Sequence, residues 1–184
     1  MRSNDGTLEE IEKAQVALSA AMGAGCRSCA DNLYPMLRSL GAAADEIGLA
    51  LEEGLHTRRA ATALMCAKAG ALMGRTSAQE AAPDEGSVSR LSELMRIAAG
   101  VAANSAPTAL RHAEGARCAG ATEQQIRLAI GIARRVRSKA QGISDAEIDE
   151  ACTKREPDAA VPEVACPLDS ASGSEARAKS DCCS

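Results

Sequence analysis

Cys26-Arg27-Ser28-Cys29 is the stretch of this chain with the clearest chemistry. Two residues between cysteines in the first turn of a helix bring both sulfurs to one side, close enough to form a disulfide. Unpaired N–H groups and the helix dipole at that end favour thiolate over thiol. Arg27 adds positive charge beside them. A single Cys-x-x-Cys does not make the closed four-cysteine zinc site, which needs two such pairs. The plainer alternative is two small buried thiols that meet without a chemical role.

The other titratable and thiol groups have less context. By itself Glu93 reads as an ordinary surface acid and His112 as a satisfied or exposed histidine. His56 stands among Glu52, Glu53 and Arg59 and reads as part of a solvated face. Cys66, in Ala-Leu-Met-Cys-Ala, reads as a core residue, because free cysteine is often buried. Cys118 and Cys152 have no partner nearby in sequence and read as packing residues.

The elements that must hold these groups are helices. The chain has 184 residues, 40 of them alanine, with one tyrosine and no phenylalanine or tryptophan. Strands favour aromatic and β-branched residues, whereas Ala, Leu, Met, Arg and Glu favour helix. An all-α fold follows. Lys+Arg is 21 against 25 Asp+Glu, a net charge of −4, which lacks the basic face of a nucleic-acid binder. No apolar run approaches the 18 or so residues that span a bilayer. The opening MRSNDGTLEE is polar and acidic, unlike a secretory signal, so a cytoplasmic location is expected and a disulfide framework is not.

Helical spacing predicts helices over 8–24, 26–40 and 45–73, with Pro35 inside the second. A Gly, Ser and Pro-rich connector covers 75–90. The pattern then returns over 91–103, from Ser105 to Gly120, and over 123–140, where Thr122 and Gln125 form a capping box. A short helix is expected from Ser144 to Cys152. Sliding the first half by 79 residues lays Arg38, Gly41, Ala42 and Ile47 on Arg117, Gly120, Ala121 and Ile126, so an internal duplication is expected. The units are thus 1–74, carrying the Cys-x-x-Cys, and 91–154, followed by a tail over 155–184 that is expected to be mobile. Cys166, Cys182 and Cys183 lie in that tail.

The stretch ALSAAMGAGCRSCADNLYPMLRSLGAAADEIGLAL resembles the core of the carboxymuconolactone decarboxylase and alkylhydroperoxidase D-like superfamily. The family pattern is an alanine-rich helix, Gly-Cys-x-x-Cys, a helix, Gly-Ala and an acidic helix start. RIAAGVAANSAPTALRHAEGARCAGATEQQIRLAI repeats it without the cysteines. The resemblance covers about residues 8–140. It implies an oligomeric duplicated helical fold, a trimer or hexamer, and thiol peroxidase chemistry in which Cys29 attacks and Cys26 resolves. The family relay also has a Glu twelve residues before the first cysteine and a His four after the second. The first block has Ala14, Cys26, Cys29 and Leu33 at these positions, and the second has Glu93, Ser105, Thr108 and His112. Thiols and acid–base pair are thus divided between the blocks.

These residues lead to an expected function: a cytoplasmic thiol–disulfide oxidoreductase or peroxidase-like antioxidant protein. Cys26 and Cys29 carry the exchange, Glu93 and His112 are candidate acid–base groups, and a thiol or dithiol is the electron donor. Vicinal cysteines in a tail resemble the end of mercuric reductases, and thiolates select soft ions. A second expectation is therefore binding of Hg, As, Cu or Zn by Cys26, Cys29, Cys182 and Cys183, with no other cofactor implied. A third is an oligomeric scaffold without turnover. Neither nucleic acid nor membrane is an expected partner.

Overall fold

The computed structural model describes residues 7–75 and 89–153. These form α1 (Glu10–Ala24), α2 (Arg27–Ser39), α3 (Ala44–Leu72), α4 (Arg90–Ala102), α5 (Ala106–Cys118) and α6 (Glu123–Thr153), with no strand among the described residues. The fold is all-α, as the composition requires. Among the described residues no helix is long and apolar enough to cross a membrane. The chain divides into a compact unit over Met1–Ile148 and a second over Asp149–Ser184. Of the second unit only 149–153 are described. There Thr153 donates its hydroxyl hydrogen to the carbonyls of Asp149 and Glu150, at 2.9 and 3.1 Å. The predicted tail cysteines Cys166, Cys182 and Cys183 lie outside the described residues, as does most of the connector.

In the first unit α1 packs against α4, α3 and α2, and α4 in turn against α3 and α5. The core is aliphatic: Val16, Leu18, Leu37, Ile47, Leu94, Met95, Ile97 and Ile126 are buried together with a large set of alanines. Small residues set how closely the axes approach. A β-carbon on Gly23 of α1 would lie 2.4 Å from the Ala99 carbonyl oxygen of α4, and one on Gly54 of α3 would lie 2.6 Å from the Ser19 carbonyl oxygen. With a single aromatic ring in the chain, close backbone approach is the route to interior packing density.

The 79-residue offset seen in the sequence is carried into the backbone. α2 and α5 begin and end at positions that differ by 79. Gly41 and Gly120, which end them, share φ 83°, and the turns before them place Gly25 at φ 73° and Asn104 at φ 58°. The next helices open alike: Glu46 accepts from the Ala43 N–H at 2.8 Å, and Gln125 accepts from the Thr122 N–H at 3.1 Å. The Thr122 side chain accepts in return from the Gln125 N–H, completing the expected capping box. Across the second turn Arg117 donates to Glu123 at 2.6 Å, which holds the Glu123 carboxyl below its ordinary range and raises the Arg117 guanidinium.

Three expectations differ. α6 continues through Gln141-Gly142-Ile143, where a break and a new helix at Ser144 are expected. One glycine costs a helix interior only about 1 kcal/mol, which the ladder on either side outweighs. Cys66 is exposed, not in the core. It lies in the stretch 62–66 of α3, all exposed, although Ala61 and Gly70 on either side are buried. Cys118 and Cys152 are also exposed, each in the last turn of its helix. Pro35 is accommodated inside α2.

Gly23→Ala is expected to destabilise the protein by about 1–3 kcal/mol through overpacking against the Ala99 backbone. Gly48→Ala, also in a helix but with open space around it, is expected to stabilise by roughly 0.5–1 kcal/mol. Urea unfolding of both variants checks the contrast.

Candidate functional site

Cys26 is the N-cap of α2, and Cys29 lies in its first turn. Their sulfurs are joined in a disulfide with the Cα atoms 5.2 Å apart. The Cys29 N–H donates to the Cys26 sulfur at 3.1 Å, so a sulfur takes the place a serine or aspartate oxygen usually has at a helix start. The two sulfurs are not equivalent. Cys29 is only 4% exposed, whereas Cys26 is half-buried and borders solvent.

The turn before Cys26 explains its surroundings. Gly25 has a left-handed conformation, and a β-carbon there would lie 2.1 Å from Nη1 of Arg58. Glycine is required twice over, by φ and by the space the guanidinium occupies. Arg58 is anchored from α3 by donating Nη1–H to the Gly23 carbonyl at 3.0 Å. The corresponding residue 79 positions on, Arg137 of α6, donates to the Asn104 side-chain oxygen at 2.9 Å. Cys26 borders three open recesses. One, of about 250 Å³, is lined by Arg58 and Arg27. A second, of about 310 Å³, is lined by Arg137 and Gln141. The third, of about 290 Å³, carries Asp31 and Glu147 beside Arg27. Arg27, Arg58 and Arg137 thus line recesses beside the accessible sulfur, together with Asp31 and Glu147, and a nearby cation favours thiolate.

Glu93 and His112 come together at a different place, between α4 and α5. Nδ1 of His112 is 2.9 Å from Oε2 of Glu93, with both side chains buried. Gly115 makes room for the carboxylate: a β-carbon there would lie 2.8 Å from its carbon and from Oε1. Nε2 of His112 is buried without a hydrogen-bond partner among the described residues. One turn earlier Thr108 is buried, and its hydroxyl lies 2.7 Å from that of Ser105 at the start of α5. Glu93 and His112 thus form one side-chain pair, and Ser105 and Thr108 a second pair at the start of α5. Neither Glu93 nor His112 hydrogen-bonds to Cys26 or Cys29 among the described residues. His56 is on the exposed side of α3.

Arg58, Arg137, Glu53 and Arg96 were not singled out by the sequence reading. Glu53 of α3 and Arg96 of α4 form a buried ion pair in the core. Arg96 could have been found as the one cation in Leu94-Met95-Arg96-Ile97-Ala98-Ala99. Arg58 and Arg137 could have been found by their 79-residue separation. Among the described residues no three His, Cys, Asp or Glu side chains converge as metal ligands. No family model matches this chain, no curated protein matches its sequence, and no solved structure matches its fold.

Glu53→Ala is expected to cost up to about 3–5 kcal/mol, because it removes the buried carboxylate to which Arg96 donates. The double variant Glu53→Ala/Arg96→Met is expected to recover most of that loss. Denaturant unfolding of the single and double variants measures both.

Proposed function

We propose that the chain is a thiol–disulfide oxidoreductase of the alkylhydroperoxidase D-like kind, working through Cys26 and Cys29. The observation that carries the reading is the Cys26–Cys29 disulfide at the start of a 13-residue helix, with one sulfur buried and the other opening onto arginine-lined recesses. That asymmetry assigns roles in exchange. A partner thiolate attacks the Cys26 sulfur, and the Cys29 sulfur leaves as thiolate, carrying the electron pair of the broken S–S bond. A second partner thiolate then attacks the mixed disulfide, releasing the partner's disulfide and a Cys26 thiolate. The pair has gained two electrons, and protons from solvent complete the dithiol. The helix N-terminus, Arg27 and Arg58 stabilise the Cys26 thiolate so formed.

The family resemblance places peroxide attack on Cys29. A small hydroperoxide would there be cleaved to an alcohol and a Cys29 sulfenic acid, which Cys26 condenses with to give water and the disulfide. Glu93 and His112 are the family's acid–base positions but belong to the other block, so direct proton relay to the thiols is not part of the proposal. The matched helix ends, turn angles and caps support an origin by duplication of one helical unit.

The proposal includes self-association as a trimer. Leu72, Met73 and Leu110 are 76%, 60% and 67% exposed, and burying such side chains between subunits is favourable. Light scattering is expected to give about three times the 18.9 kDa of one chain, and a monomer mass would refute this.

Titration with oxidised and reduced glutathione, read by mass spectrometry, is expected to give a reversible Cys26–Cys29 couple at ~−200 to −300 mV. In Cys29→Ser the Cys26 thiolate is expected to attack oxidised glutathione, release reduced glutathione and keep the other half as a mixed disulfide, with no Cys29 thiolate to displace it. If both thiols remain alkylatable in excess oxidant, the reading fails.

A further inference from the structure

A cleft of about 610 Å³ lies between the outer half of α3 and the α4–α5 turn, beside the end of α1. Its size is that of a small-molecule site. Its chemistry is one-sided. Ala61, Leu64 and Met65 of α3, with Ala103 and Pro107 opposite, make it apolar. Among the described residues Arg58 and Lys68 are its only charged residues, and no carboxylate of those residues lines it. Arg58, Ala61, Thr62, Met65 and Lys68 lie at helical spacing along one face of α3, so the two cations stand about 15 Å apart with the apolar stripe between them. Met65 is 69% exposed and Leu64 40%.

We infer that this cleft binds an amphipathic carboxylate, a single-chain organic acid whose tail lies along α3 and whose head group is held by Arg58 or Lys68. Two cations flanking an apolar stripe disfavour cations and make an apolar anion the complementary ligand. The inference stands apart from the disulfide chemistry: Arg58 borders both the cleft and a recess at Cys26, but cleft binding does not require the sulfurs to react.

The test is calorimetric titration of the full chain with dodecanoate at pH 7, below the concentration at which it forms micelles. Octanoate and dodecanol serve as comparisons. Saturable binding of one dodecanoate per chain is expected with the cysteine pair oxidised or reduced. Affinity is expected to fall by up to roughly fourfold for each methylene removed. Dodecanol, without the charge, is expected to bind at least about tenfold more weakly, equivalent to one 1.4 kcal/mol interaction. Lys68→Glu and Met65→Asp alter exposed side chains, and circular dichroism verifies that they fold. Both are expected to weaken dodecanoate by about tenfold or more. Absence of saturable binding overturns the inference, as does equal affinity for dodecanol or unchanged binding by both folded variants. A Met65→Asp chain that dissociates an assembly unable to bind dodecanoate also overturns it, because the cleft is then an interface between copies.

Discussion

At the crossing of α1 and α4 the Ala99 carbonyl oxygen sits 2.4 Å from where a β-carbon on Gly23 would be. The position of the Cys26 turn follows from that contact. Gly23 is two residues before Gly25, its carbonyl anchors Arg58, and the left-handed Gly25 leads directly into Cys26. A helix of larger side chains would hold α1 farther from α4. The turn that orients α2, its N-terminal sulfur and the flanking guanidinium would shift with it. Alanine and glycine are therefore more than a bland filling. They permit backbone-to-backbone approach in a chain that has almost no aromatic bulk to fill a wider gap.

α4 is where the polar interior is concentrated. Its Arg96 meets Glu53 of α3, its Glu93 meets His112 of α5, and its Met95 carbonyl accepts from the Ser19 hydroxyl of α1 at 3.0 Å. Each is a buried polar group tied to a different neighbouring helix. Desolvating these groups costs free energy that the pairing offsets only at the correct register. Alanine-rich surfaces can slide or rotate against one another with little penalty, so polar contacts of this kind are well suited to fixing a single arrangement. Glu93–His112 has a structural part in this arrangement, whereas Arg27, Arg58 and Arg137 beside Cys26 are exposed.

Much of this was legible in sequence because local signals carried it. Gly41 and Gly120 end helices, Thr122 and Gln125 cap one, and Cys26 opens one, all through short-range backbone geometry. The 79-residue repetition sharpened those boundaries. The depth of side chains was less legible. Alanine on every face of α3 leaves no contrast between its sides, so Cys66 reads as core although it is exposed. Glu53 looks like one of several surface charges until Arg96 is brought to it across 43 residues. Gly142 and Ser144 resemble a break and a cap, but these local preferences are weaker than an established helical ladder.

The central claim is that folding makes Cys26 a reactive, accessible thiolate by placing it at the start of α2 among arginines. The direct measurement is the rate at which the reduced chain attacks an aromatic disulfide reagent at pH 7, with only Cys26 left as cysteine, folded and in urea. The account predicts that the folded chain reacts about tenfold faster or more, with the advantage disappearing above the ordinary cysteine pKa of about 8.5. A folded rate equal to or below the unfolded rate would contradict it.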